Sequence, residues 1–324
     1  MKNVHVCFVW HMHQPYYTDP VAGTASMPWV RLHATKAYFD MAHLLEKFPA
    51  VHATFNFTPS LLLQLQEIGD GTVRDLFLER AQRPAAELTP EEQAFLIRHF
   101  FSANWATMVR PFPRYHELLV KRGPDVSGPD LARVARQFST QDFLDLQVWH
   151  NLAWFGYGPL QRYPRLAALR NKNRGFTEDE KHEILALQRV VVQEIVPLYR
   201  RLLDRGQIEL TTTPFFHPIL PLVIDTEINR RARPDLPLPS RFRAPGLVHR
   251  VVQMLRDVKS VMHDGRLRRG LVRGGHEVGA HVHRRRFDLG ALFGRQSLPQ
   301  RHRLLGVATG HDIQHAPAVE IGHQ

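Results

Sequence analysis

The stretch Gly206-Gln207-Ile208-Glu209-Leu210-Thr211-Thr212-Thr213-Pro214-Phe215-Phe216-His217-Pro218 decides the fold. Gln207 to Thr213 is rich in β-branched side chains, which suit a pleated, half-buried strand, and Pro214 has no N–H to continue a ladder. A strand therefore ends in a proline-bracketed loop that carries His217. Just upstream, Ile184, Leu187, Val191, Ile195 and Leu198 recur at three- and four-residue spacing behind Thr177-Glu178-Asp179-Glu180, a capping-box pattern. This helix ends at Gly206, directly before the strand. Pro197 is expected to kink or divide it, because proline removes a backbone donor.

Two further segments read the same way. Val4 to Trp10 is a mostly apolar run that breaks into His11-Met12-His13-Gln14-Pro15. Val51 to Phe57 alternates Val51, Ala53, Phe55 and Phe57 with His52, Thr54 and Asn56, and Thr58-Pro59-Ser60 then opens a helical run from Leu61 to Ile68 that Gly69 and Gly71 end. Between the second and third strands, residues 72–205 read as mostly helical, with another capping box at Thr89-Pro90-Glu91-Glu92. Strands alternating with helices imply an α/β fold with a largely parallel sheet, and polar residues at strand C-termini are where such sheets place their sites. The helical insert is too long for an ordinary crossover and is expected to form a lobe over the site.

Composition narrows the class. With 44 % hydrophobic and 23 % charged residues, the 324-residue chain is neither disordered nor membrane-spanning by composition. Its one cysteine, Cys7, excludes an internal disulfide and a Cys-rich zinc site. No signal peptide is read at the N-terminus, and a cytoplasmic location is expected. The net charge of +11 would ordinarily suggest a polyanionic partner. Residues 241–324, however, hold 14 Arg and 1 Lys against 4 Asp and 2 Glu, which is +9 of that total. The first 240 residues are nearly neutral, so nucleic acid is not expected as a partner despite the basic tail, and neither is a membrane.

His11 and His13 lie two apart at a strand end, so an extended backbone points both imidazoles to one face. Such a pair can ligate zinc, hydrogen-bond sugar hydroxyls or be structural. The flank Gln14-Pro15-Tyr16-Tyr17 favours a sugar, since planar aromatic faces, amides and imidazoles are the groups that bind one. His217 joins them as a pocket residue. Glu209 shares a strand face with Thr211 and Thr213, and is either a substrate contact or a carboxylate hydrogen-bonded to neighbouring strand ends. Asn56 is a candidate contact or a cap of the next turn, and Trp149 a candidate contact or core.

The segment His11 to Tyr17 resembles the first motif of glycoside hydrolase family 57, and Gly206 to Leu222 resembles its second. Thr54 to Leu62 and Asp145 to Phe155 are similar to segments of its amylase-like members, so the resemblance spans residues 1–243 in the family's order. It implies a (β/α)7-type incomplete barrel with the helical insertion at 72–205, acting on α-glucans or maltooligosaccharides without a cofactor or metal. It also implies a retaining mechanism, with a Glu nucleophile and an Asp acid/base. Substrate-binding roles fall on His11, His13, Gln14, Asn56, Trp149, Glu209 and His217. The family's nucleophile lies in a later motif, a Trp followed by a small residue and Glu. This chain has no Trp after Trp154. Glu277, in Gly274-Gly275-His276-Glu277, lies at a suitable distance but in the wrong company, so the catalytic residues are unassigned.

Residues 244–324 form a basic, Arg- and His-rich tail that departs from the resemblance. All five Trp and all seven Tyr precede residue 200. The change near Arg243 points to a shifted reading frame in the coding sequence. A genuine basic appendage that touches anionic surfaces is the competing account. Two alternatives in other functional classes stand beside the glucan-active enzyme. One is a zinc-dependent deacetylase or amidohydrolase using His11 and His13 with Glu209 or His217. The other is a catalytically inactive α-glucan-binding protein.

Overall fold

Three strands pair side by side: β1 (Val9–Met12), β4 (Ala53–Phe57) and β6 (Ile208–Thr212), all parallel in the order β1-β4-β6. A small second sheet joins β2 (Thr18–Asp19), β3 (Thr24–Ala25) and β5 (Arg74–Asp75). The computed structural model describes residues 5–19, 21–126, 128–220, 224–238 and 240–244. The tail beyond Ala244, Glu277 included, lies outside the described residues.

The first strand is shifted from its expected place. Its pairing begins at Val9, because register is fixed by β4, where Val9 faces Thr54 and Met12 faces Phe57. Val6 and Phe8, ahead of it, are exposed.

Helices α1 (Trp29–His33) and α2 (Phe39–Lys47), joined by a π-helical turn at Ala34–Tyr38, connect β1 to β4. From β4 the chain runs through α3 (Pro59–Asp70), α4 (Leu76–Gln82), α5 (Pro90–His99), α6 (Pro113–Arg122), α7 (Gly128–Ala135), α8 (Thr140–Leu152), α9 (Tyr157–Arg162), α10 (Pro164–Lys172) and α11 (Glu178–Asp204) before β6. Thr89 and Thr177 make the expected capping boxes, each side chain accepting from the third residue of its helix. Ser139 makes a third with Asp142. Pro197 does not divide α11, which is one 27-residue helix. Nor does Gly69 end α3; it lies inside the helix, which Gly71 caps in the left-handed conformation at φ 68°.

Residues paired across a parallel sheet share a face. One face of the central sheet carries Met12, Ala53, Phe55, Phe57 and Ile208, all buried, and the Tyr199 ring of α11 packs edge-on to Phe55 and Phe57 at 5.0 and 4.9 Å. Those strands and the helices from α2 to α11 share one contiguous apolar core. The other face carries the rows Val9, Thr54, Glu209 and His11, Asn56, Thr211. None of these six is buried.

Polar side chains brace the helical side. Arg31, 2 % exposed, donates to Asp75 at 2.7 Å and to Asn151 at 2.6 Å. Arg114 reaches Asp145 at 2.7 Å and Asp142 at 2.6 Å. The Gln207 amide donates to the carbonyls of Leu45, Phe48 and Val51, tying the start of β6 to the turn that enters β4.

Candidate functional site

The end of β1, the loop that follows it and the loop after β6 bring three imidazoles together. Ring centroids lie 4.7 Å apart for His11 and His217, 5.0 Å for His13 and His217, and 5.8 Å for His11 and His13. His217 reaches this position through a turn in which its N–H donates to the Pro214 carbonyl at 2.8 Å. Its φ of 53° is in the left-handed region, where a side chain with a Cβ is strained by roughly 1–2 kcal/mol. Desolvation first, then the nearby His217 and His11 rings, push the His13 imidazole below its ordinary pKa. A neutral His13 imidazole, with one donor and one acceptor nitrogen, can exchange hydrogen bonds with uncharged hydroxyls.

The first loop is held from beneath by α3. Gln64, 2 % exposed, accepts from the Tyr17 N–H at 2.8 Å and donates to the Pro15 carbonyl at 3.0 Å. At the start of the same helix the Ser60 N–H donates to the Phe215 carbonyl at 3.3 Å, and its hydroxyl donates to the Gln14 carbonyl at 3.4 Å. One helix N-terminus therefore fixes the loop carrying His13 and the loop carrying His217. Gln14 sits between two phenols: Tyr17 donates to its Oε1 at 3.0 Å, and its Nε2 donates to the Tyr38 hydroxyl at 3.3 Å. Burial pushes the Tyr38 phenol up to about 12, so it stays protonated near neutrality. Tyr16 packs edge-on against Phe215 and Phe216, each at 6.0 Å, and Phe216 is exposed.

Asn56 lies in the same row as His11. Its Oδ1 is 2.7 Å from His11 Nδ1, and its Nδ2 donates to Thr211 Oγ1 at 3.0 Å. It therefore braces neighbouring strands and does not cap the following turn. Glu209 is exposed one row below and accepts from the Thr54 hydroxyl at 3.3 Å. Trp149 requires a correction: it is fully buried, stacks on Phe112 at 4.6 Å and donates its indole N–H to the Asn173 carbonyl at 2.8 Å. Helix α8 is buried on nearly every side, which leaves this indole no surface from which to touch a substrate. Tyr38 and Gln64 were not legible as site residues, because both arrive from helices whose docking only the fold defines.

Among the described residues no group of three or more His, Cys, Asp or Glu is disposed to hold a metal ion. A cleft of about 500 Å³ lined by Lys36, Asp40, Tyr157 and Arg170, among others, includes none of the histidines, so its size does not mark it as the chemical site. No helix among the described residues is long and apolar enough to cross a membrane.

The family model described as Glycosyl hydrolase family 57 matches residues 7–235. No curated protein and no solved structure matches the chain. The matched span contains both histidine loops, the helices between them and the Gln64 brace, and it stops before the composition turns basic. With well over half of its length matched, this chain, a mixed α/β protein with a small parallel sheet, belongs to glycosyl hydrolase family 57.

Proposed function

We propose that the strand-end face binds α-glucans, in the manner of the amylase-like members, and that residues 1–243 are the front part of a (β/α)7-type barrel. The observation that carries this reading is the convergence of His11, His13 and His217 beside the braced amide of Gln14. Imidazoles and an amide of fixed orientation suit the alternating donors and acceptors of sugar hydroxyls, while exposed Phe216 offers an apolar ring to a pyranose face. Glu209 adds a carboxylate on the same open face as His11.

In a retaining reaction two carboxyl groups about 5–5.5 Å apart divide the work: one attacks the anomeric carbon, and the other protonates the leaving oxygen and then activates water. The imidazoles and Gln14 hold the sugar ring and stabilise charge developing on it. No Trp-small-Glu sequence follows Trp154, so the nucleophile stays unassigned and hydrolysis by this chain is expected to be weak or absent. A cytoplasmic site of action fits the lone, exposed Cys7.

Calorimetric titration with maltoheptaose, paired with a reducing-sugar assay on soluble starch, tests the proposal. Saturable binding that His217→Ala weakens by about tenfold or more is expected, the loss of roughly one good hydrogen bond. Absence of binding in the intact chain contradicts it.

A further inference from the structure

Among the described residues, only one of the three clustered imidazoles has a side-chain hydrogen bond. His11 Nδ1 lies 2.7 Å from Asn56 Oδ1, whereas the imidazoles of His13 and His217 make ring contacts alone. An amide oxygen accepts and cannot donate, so the proton in this bond belongs to His11 Nδ1. At its other end the amide is held in place by Thr211, to whose Oγ1 its Nδ2 donates at 3.0 Å. The strand register makes the arrangement possible, since His11, Asn56 and Thr211 are directly paired neighbours on one face of the sheet.

We infer that Asn56, held in place by Thr211, is a positioning residue that fixes His11 as its Nδ1–H tautomer. The Nε2 lone pair is then left free to accept a hydrogen bond from a ligand hydroxyl. A neutral imidazole has one donor nitrogen and one acceptor nitrogen, and the partner at one nitrogen decides the role of the other. Solvated imidazole favours the Nε2–H form, so the Asn56 contact reverses the preference and turns the outward-facing atom into an acceptor. Gln14 is restricted in a comparable way, because Tyr17 and Tyr38 each engage one end of its amide. The identity of the ligand hydroxyl as a sugar's rests on the function proposed above. The tautomer itself rests only on the strand-end geometry.

Long-range ¹H–¹⁵N correlation spectra of ¹⁵N-histidine-labelled protein report the tautomer directly. They are recorded near pH 8, above the ordinary imidazole range, and His11 is assigned by the signal lost in His11→Gln. A His11 signal of the Nδ1–H type is expected in the unmodified chain. Asn56→Asp, whose carboxylate can only accept from His11, should retain it. Asn56→Ala should move it toward Nε2–H, and Thr211→Val, which frees the amide to turn, should move it part of the way. A His11 signal of the Nε2–H type in the unmodified chain, as a reversed Asn56 amide would produce, overturns the inference. So does a signal that Asn56→Ala leaves unchanged while far-ultraviolet dichroism shows that variant folded. An Nδ1–H signal in a chain that does not bind maltoheptaose upholds the tautomer and sinks the proposed function.

Discussion

Buried charge and open imidazole divide this molecule. In the helices, Arg114 is enclosed with Asp142 and Asp145, and Arg31 with Asp75, every side chain at most 8 % exposed. At the strand ends His11 is exposed, His13 and Gln14 are half-buried, and His217 holds a strained backbone. In the helical region Arg31 and Arg114 offset buried carboxylates, so removing either guanidinium leaves buried negative charge less well compensated. The strand-end region leaves hydrogen-bonding groups facing solvent. Substitutions should therefore separate cleanly, with large stability effects in the first region and large binding effects in the second.

The largest expected effect comes from Arg114→Leu, which takes the guanidinium from two buried carboxylates and leaves Asp142 to Lys121 and Asp145 to Gln141. Removing one partner of such a network costs about 3–5 kcal/mol, readable as a lowered urea midpoint at unchanged slope. Maltoheptaose binding by the fraction still folded should be unaffected.

Acid comes next. His150 is fully buried against Phe100, and desolvation first, then the Arg31 charge, depress its imidazole to about 3. The unfolded chain binds a proton near the ordinary value of about 6.5, so the unfolded state takes up more protons between those two values. Stability is then fully present above about 6.5 and declines as pH falls toward 3, by an amount on the order of a few kcal/mol. His150→Phe should flatten the urea midpoint across that window. Asp142 acts lower. Although desolvation alone would raise it, Lys121, Ser139 and Arg114 hold its carboxyl at about 2, so its contribution is lost only as pH falls below the ordinary carboxylate range toward 2.

Thr177→Ala removes the cap of α11 and should cost about 1 kcal/mol. The smallest effect has the opposite sign. His217→Gly relieves a left-handed backbone and should raise stability by a few tenths to about 1 kcal/mol, less what glycine gains in unfolded-state entropy, while weakening glucan binding. A stabilised variant that binds less well would be the clearest contrast with Arg114→Leu.

The ends of β4 and β6 and the capping boxes at Thr89 and Thr177 were legible because each is a local device, a proline shortly after the ladder or a hydroxyl followed three residues later by Glu, whereas the end of β1 was placed two residues early. The grouping of His11 and His13 followed from strand alternation alone. Their contact with His217 depends on β4 standing between β1 and β6, which is long-range pairing that no local window encodes. Trp149 was misplaced because the apolar residues of α8 have no preferred side, so nothing in the sequence says which way its indole points. Of the two effects expected of Pro197, a kink or a division of α11, the division does not occur. The helix runs on through it, with Ile195, Leu198 and Tyr199 all buried around the missing donor.

The most direct test uses the two regions as signal and control in one experiment, following histidine ring resonances during titration with maltoheptaose. The account predicts that His11, His13 and His217 shift together along one saturation curve while buried His150 stays still. Unmoved strand-end imidazoles at saturating sugar, or shifts confined to other histidines, would contradict it.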